Sequence, residues 1–291
     1  MNRPSLILLV GIPGSGKTTY AQNYIKDNSK PIVHLSSDGV REELYGDASI
    51  QGNPSEVFAI MQKRAIDALN NGCDVLYDAT NITRKDRTCI IGVCPKFAKI
   101  ECHIIWAPIE KCIKRDSARE RTVGKEVIDR MLKRFQAPYY DEGIDEIKII
   151  RPDSFDSTRY WHKIMSDMRI PHNNHHHTLG IEQHCLEALD EIETRTSNIE
   201  LLRAALYHDI GKPYVKEFAD SKGNVCDEAH YYQHQCVGAW MSYGISEVTQ
   251  KVAWLISVHM DPFMNTKYYN RLPSYLKEEV DLLYEADVAA H

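Results

Sequence analysis

The chain has 291 residues, 43% of them hydrophobic and 26% charged, with a formal net charge of −6. That length suits two domains, and the proportions exclude a disordered or fibrous protein. The acidic balance argues against nonspecific coating of nucleic acid, and no apolar stretch approaches the roughly 20 residues needed to cross a bilayer. The first residues, MNRPSLILLVG, are too short a pattern for a signal peptide. Eight cysteines occur without a CxxC pair or a framework spacing, so they read as thiols of a reducing, cytoplasmic compartment.

In chain order, residues 6–10, 31–36, 74–78, 99–107 and 146–150 are short β-type runs. Between the second and third, a helical period follows Asn53 and Pro54 and stops at Gly72. Alternation of β and α elements implies an α/β domain, a parallel sheet with flanking helices. A polar stretch at 151–157 then gives way to helical, histidine-rich sequence. The expected domains are therefore 1–155 and 156–291. Basic residues cluster at 83–87 and from Lys111 to Arg134, which leaves room for a local basic groove.

GIPGSGKT, Gly11 to Thr18, satisfies the phosphate-loop pattern and stands between an apolar strand and a helical segment. In that context Gly11, Gly14, Ser15, Gly16, Lys17, Thr18 and Thr19 form a nucleotide cradle. Backbone N–H groups hold phosphate oxygens, Lys17 reaches the β- and γ-phosphates, and Thr18 ligates magnesium. An unliganded glycine-rich turn is the bland alternative, and the flanking strand and helix disfavour it. LSSDGVREEL places Asp38 and Arg41 at the carboxyl edge of the sheet, where open α/β proteins bind ligands. A hydroxyl attacking a γ-phosphate needs a carboxylate to take its proton, and Asp38 is a candidate; a helix N-cap is its other reading. Asp78, ending the third strand in DATN, is a candidate for the magnesium water shell or a plain turn residue. Arg115, Arg119 and Arg121 lie in a helix-loop-helix that would deliver a guanidinium to the transferring phosphate, or form a solvated face. Residues 49–57 receive no role.

Together, Gly11 to Thr18, the Asp38/Arg41 pair, DATN and the Arg115/Arg119 pair resemble the P-loop 5′-hydroxyl polynucleotide kinases over about residues 5 to 150. The resemblance implies that Lys17 and Thr18 bind ATP and Mg2+, that Asp38 is the general base and that Arg41 binds the acceptor phosphate. It also implies that Arg119 is the lid arginine. Small-molecule kinases share much of this pattern, so the acceptor stays open.

In LLRAALYHDIGKP an apolar helix runs into His208-Asp209, which can both turn toward one metal or simply cap the helix. His177 opens a helix-like segment upstream, and His234, His259 and Asp287 follow. The order H…HD…H…H…D resembles the HD superfamily of metal-dependent phosphohydrolases over residues 160 to 291, which implies an all-α HD domain. It further implies that His177, His208, Asp209 and Asp287 hold one divalent ion and that Asp209 bridges to a second held by His234 and His259. His184 would be a supporting or phosphate-contacting group, Lys212 would offset phosphate charge, and His175 and His176 would be loop residues. His230 either reaches the same pocket or lies on the surface. Oxygen and imidazole donors without thiolate favour Mn, Ni, Co, Fe or Mg. The last helix reaches His291 without a C-cap signal.

A kinase and a phosphohydrolase in one chain make sense on opposite ends of a broken strand. The expectation is an end-healing enzyme for RNA, with DNA as a further substrate. It would phosphorylate 5′-hydroxyl ends and remove 3′ or 2′,3′-cyclic phosphates for a separate ligase. A metabolite kinase fused to a nucleotide phosphohydrolase, or a nucleotide-sensing regulator, are the alternatives.

Overall fold

The computed structural model describes residues 3–174 and 179–290, and the chain divides into two compact units. The first comprises residues up to Met131 together with Pro138–Pro152; the second comprises Leu132–Ala137 and everything from Asp153 onward.

The first unit is built as β1 (Ser5–Val10), α1 (Lys17–Asp27), β2 (Ile32–Ser36), α2 (Ser37–Tyr45), α3 (Pro54–Asn70), β3 (Asp74–Asp78), α4 (Arg84–Ile91), β4 (Lys99–Ile105), α5 (Ile109–Ser117), α6 (Lys125–Leu132) and β5 (Glu146–Ile150). All five expected strands form, in the order β2-β3-β1-β4-β5, and every pairing is parallel. Leu6 to Val10 are at most 1% exposed, which explains why the central strand reads as a continuous apolar run without alternation. The chain leaves β1 toward β2 on one side and leaves β3 toward β4 on the other. Such a switch point opens a crevice at the carboxyl ends of the strands. Register puts Leu9 and Ser36 level with Asp78, so three strands end at that edge within one residue of each other.

A buried ion pair fixes this edge from behind. Arg87 is fully buried and donates to both Glu142 carboxylate oxygens, at 2.6 and 2.7 Å, and to the Asn81 carbonyl at 2.9 Å. Arg87 therefore lies outside any basic groove formed by residues 83–87, because its charge is spent on Glu142. Thr83 caps α4 in a reciprocal pair with Asp86.

The second unit contains α7 (Ser157–Asp167), α8 (Ile181–Glu193), α9 (Ile199–Tyr207), α10 (Lys212–Val215), β6 (Glu217–Ala219), β7 (Val225–His230), α11 (His234–Ser242), α12 (Gln250–Val258), α13 (Asp261–Met264), α14 (Thr266–Tyr269) and α15 (Ser274–Ala289). Among the described residues its regular elements are helices apart from the antiparallel hairpin β6–β7 and an isolated bridge between Pro171 and Gly180. Asp220 makes that hairpin: its carboxylate accepts from the backbone of Lys222 and Asn224, and Gly223 supplies the positive φ of the turn. The core gathers Trp240, Trp254, Tyr207 and Tyr243 around α9, α11 and α12. Phe135, from the segment Leu132–Ala137, meets Trp240 edge-on at 5.3 Å.

Candidate functional site

The first site is the loop between β1 and α1. Gly14 has φ +75, and a Cβ there would lie 2.1 Å from the Cys112 carbonyl of α5, so only glycine fits the close approach. Gly16, at φ +111, ends the loop as the N-cap of α1 and offers no side-chain cap. The first N–H groups of α1 are thereby left for a ligand. Ser15 is 3% exposed, and its hydroxyl has no hydrogen-bond partner among the described residues. An orphaned hydroxyl, uncapped N–H groups and a lysine fit a phosphate group.

Lys17 Nζ donates to the carbonyls of Gly11 and Ile12, at 2.7 and 3.2 Å. Burial pushes its pKa down to about 8, against the opposing pull of Asp78. Arg115 Nη1 grips the outward carbonyls of Gly14 and Ser15, at 3.2 and 3.1 Å. Arg115 is thus a brace on the loop's own backbone, a role the helix-loop-helix reading did not foresee.

The loop opens on a cavity of about 350 Å3 whose walls include Lys17, Thr18, Asp38, Arg41, Asp78 and Arg119. Ser36, not Asp38, caps α2, accepting from the Gly39 N–H. Asp38 is consequently free of capping, with its side chain 60% exposed and Arg41 Nη1 at 3.0 Å. Arg121 approaches the same carboxylate at 3.7 Å. Asp116, nearly buried, accepts from the N–H groups of Val123 and Gly124 and folds the segment carrying Arg119 and Arg121 back over α5.

Three further residues escaped the sequence reading. His34 Nε2 stands 3.3 Å from Asp78 Oδ2 on the cavity wall. Asn81, at φ 45, donates from its amide to the Leu9 carbonyl at 2.8 Å and ties the end of β3 to that of β1. Its position in DATN and its tolerance of left-handed backbone are the available signal. Gln51, from the stretch that received no role, also lines the cavity.

The second site is assembled from five segments. His208 and Asp209 follow α9, His234 opens α11, His259 follows α12, His184 sits in α8 and Asp287 in α15. Gly211 makes this convergence feasible: a Cβ there would lie 2.1 Å from the His234 carbonyl, so α10 and α11 approach backbone to backbone. Three overlapping groups result among the described residues, His184 with His208 and Asp287, Asp209 with His234 and His259, and Cys185 with His208 and Asp209, each with ligand atoms within 4.8 Å of one another. His184, expected in a supporting role, stands inside the first group, while His177, His175 and His176 lie outside the described residues.

The imidazoles carry the fit test for a metal. Nδ1 of His208, His234 and His259 each faces the carbonyl three residues earlier, at 2.7, 3.0 and 2.8 Å. His184 Nδ1 faces the Ala290 carbonyl at 2.7 Å. A carbonyl only accepts, so each Nδ1 holds a hydrogen and each Nε2 is the ring atom left to meet a cation. Nε2 of His184 then lies 3.2 Å from that of His208, and Nε2 of His234 lies 3.2 Å from that of His259. Imidazole nitrogens this close repel through their lone pairs unless a proton or a metal cation sits between them.

Asp209 is 1% exposed. Lys212 Nζ and His234 Nε2 approach its two oxygens at 2.6 and 3.1 Å, without a well-aligned hydrogen bond among the described residues. Burial opposes its charge, but Lys212 and His208 outweigh burial and hold the carboxyl well below the usual range. Burial likewise opposes a charge on His208, and the Asp209 and Asp287 carboxylates reverse that. Burial, with His208 and His234 adjacent, lowers His259 to about 3. Cationic, anionic and lone-pair groups packed this closely fit divalent ions held by imidazole and carboxylate.

Comparisons with known proteins agree with this division. A family model described as AAA domain matches residues 6–138, and one described as HD domain matches residues 174–290. The chain joins a P-loop AAA domain to an HD domain. The AAA domain is a P-loop kinase domain, which implies ATP and Mg2+ as its ligands. Among curated relatives, Transcription factor bHLH140 of Arabidopsis thaliana is 26% identical over 156 residues, covering 51% of this chain and 16% of that protein. Adenylate kinase of Helicobacter hepaticus is 55% identical over 40 residues, 13% of this chain and 21% of that enzyme. The chain thus spans under a quarter of the length of these relatives. Similar solved structures include a Pnkp1/Rnl/Hen1 complex, at 27% identity and TM-score 0.37 over 43% of each chain. Kti12 of Chaetomium thermophilum matches at 16% identity and TM-score 0.41, over 55% of this chain and 97% of that one.

Proposed function

We propose that this protein heals nucleic-acid ends, phosphorylating a 5′-hydroxyl with ATP in the AAA domain and removing a 3′ or 2′,3′-cyclic phosphate in the HD domain. The observation that carries the reading is the presence in one chain of a phosphate loop in a P-loop kinase domain and a buried imidazole and carboxylate cluster in an HD domain. A kinase and a phosphohydrolase acting on one group would cancel each other; acting on the two ends of a break, they leave a 5′-phosphate and a 3′-hydroxyl for a separate ligase. RNA is the first substrate, with DNA next.

In the kinase step Asp38 takes the proton of the 5′-hydroxyl as its oxygen bonds the γ-phosphorus and the β–γ bridging bond breaks. The open side chain of Asp38 and its contact with Arg41 support that role. Lys17 and Arg119 gather the charge on the transferring group, Thr18 ligates magnesium, and Asp78 holds its water shell. Arg41, half-turned toward Asp38 on α2, binds the acceptor's next phosphate.

In the hydrolase, His184, His208 and Asp287 would hold one ion, and Asp209, His234 and His259 a second. His177, outside the described residues, remains a further proposed ligand. Ions of the Mn, Ni, Co or Fe type would polarise the phosphate and lower the pKa of water there. Lys212, beside Asp209, offsets the charge of the entering phosphate. For a 3′-phosphate, water oxygen bonds the phosphorus as the bond to the 3′ oxygen breaks, and the proton that water loses passes to the departing oxygen; a 2′,3′-cyclic phosphate needs two such hydrolyses, the first opening the ring to a phosphomonoester and the second releasing phosphate.

The test is transfer of γ-labelled phosphate from ATP to a short 5′-hydroxyl RNA, beside Asp38→Ala and a mononucleoside acceptor. Label on the RNA that the variant loses supports the reading. Label on the mononucleoside alone would replace it with a metabolite kinase.

A further inference from the structure

The cavity beside the second metal-ligating group has a volume of about 530 Å3, and Asp209, His234 and Asp287 form one end of it. Its other walls are mainly apolar and aromatic, with Lys212, Gln233 and Gln235 as polar members. Phe263 is 73% exposed, Met264 52% and Val288 48%, and all three line this one cavity. Single exposed apolar residues are ordinary; several around a charged cleft mark a place where a ligand sits.

Local geometry explains how they come together. In α15, Tyr284, Asp287 and Val288 stand at i, i+3 and i+4, so the helical face that brings the carboxylate also brings a ring and a branched chain. α13 begins two residues after His259, which sets Phe263 and Met264 beside the imidazoles. Gln233 takes a left-handed conformation, φ 62, between Tyr232 and His234, and both neighbours line the cavity. The Tyr232 ring is held parallel to His230, 4° between planes and 5.3 Å between centroids, which presents a flat aromatic surface. His230 thereby gains a role as support for Tyr232 and is absent from the cavity's lining.

We infer that Tyr232, Phe263, Met264, Tyr284 and Val288 form a subsite for the nucleobase of the nucleotide whose phosphate enters the metal-ligating group. The inference rests on the phosphate-removal reading above. An occupant must carry a phosphate to reach the imidazole and carboxylate end, and a flat hydrophobic body to cover aromatic and thioether side chains. A nucleoside 3′-phosphate supplies both at a size this cavity accommodates. The subsite reads the base by its π-face, so it tolerates all four bases and favours a nucleotide over a sugar phosphate without one.

The experiment compares adenosine 3′-monophosphate with 1-deoxyribose 3-phosphate, on the full chain supplied with Mn2+, with KM and kcat measured separately. Calorimetric titration with adenosine, the product, gives a readout independent of turnover. Wild type is expected to show KM about tenfold lower for the nucleotide, with similar kcat. Phe263→Ala and Tyr232→Ala bring the two KM values within about twofold and weaken adenosine binding, whereas Phe263→Trp and Tyr232→Phe retain the preference. Equal KM values in wild type overturn the inference. So do alanine variants that raise both KM values alike, as a merely structural role would. If wild type hydrolyses neither compound, the hydrolase reading falls, and the inference falls with it unless adenosine binding still depends on Phe263 and Tyr232.

Discussion

In the AAA domain the phosphate cradle is one continuous stretch, residues 11–18, and its chemistry comes largely from backbone N–H groups shaped by glycines. In the HD domain six titratable side chains arrive from five segments spread between His184 and Asp287, and all but Asp287 are buried below a tenth of their surface. The first site needs local backbone conformation, so it is written locally. The second needs long-range packing, so small residues far from the ligands, such as Gly211, decide whether it exists.

The largest effects should separate the two sites completely. Asp209→Asn is expected to abolish metal retention and 3′-phosphate removal while ATP transfer continues, checked by metal analysis alongside both assays. Its loss should exceed the roughly 10–100-fold typical of groups that merely support a ligand. Asp38→Ala should do the reverse, lowering kinase kcat by about 10^2–10^4-fold with hydrolysis untouched. Cross-inhibition by either variant would break the comparison.

Stability sharpens it next. Glu142→Gln leaves the Arg87 guanidinium buried against a neutral partner, and should cost about 3–5 kcal/mol in denaturant unfolding of the AAA domain. Arg115→Ala frees the loop carbonyls of Gly14 and Ser15 and should raise the KM for ATP about tenfold, the loss of a charge-assisted bond, with a smaller change in kcat.

The mildest prediction concerns pH. Lys17 binds phosphate as an ammonium, and its lowered pKa means that free protein loses that charge near pH 8. A bound triphosphate favours the charged form, so ATP affinity should hold below pH 8. Above it, affinity should fall by at most about tenfold per pH unit. Lys17→Arg, which stays charged, should flatten that profile in equilibrium titrations.

Much of this was legible in the amino-acid order. Residues 6–10 and the glycine loop after them announce a buried parallel strand and a phosphate cradle because both depend on neighbours in sequence. His208-Asp209 at the end of an apolar helix, with His234, His259 and Asp287 downstream, carried the second site. What stayed hidden depended on partners far away in sequence. Arg115 reads as a lid arginine until Gly14 and Ser15, about a hundred residues earlier, are seen in its reach. Arg87 reads as part of a basic cluster until Glu142 buries it. The hairpin of β6 and β7 was missed among helices because it is short and turns on Asp220.

The sequence by itself determined the two-part organisation, the parallel sheet, the phosphate loop and the identity of most of the groups proposed to bind metal. These follow from hydrophobic period, glycine spacing and side-chain chemistry, which operate over a few residues. Tertiary structure alone decided that His184 faces His208 at 3.2 Å, that Asp38 escapes its cap to Ser36, and that Phe263 and Val288 rim one cavity. The reason is that a side chain's chemistry is set by what it can reach, and reach across the chain is fixed only when helices and strands have packed.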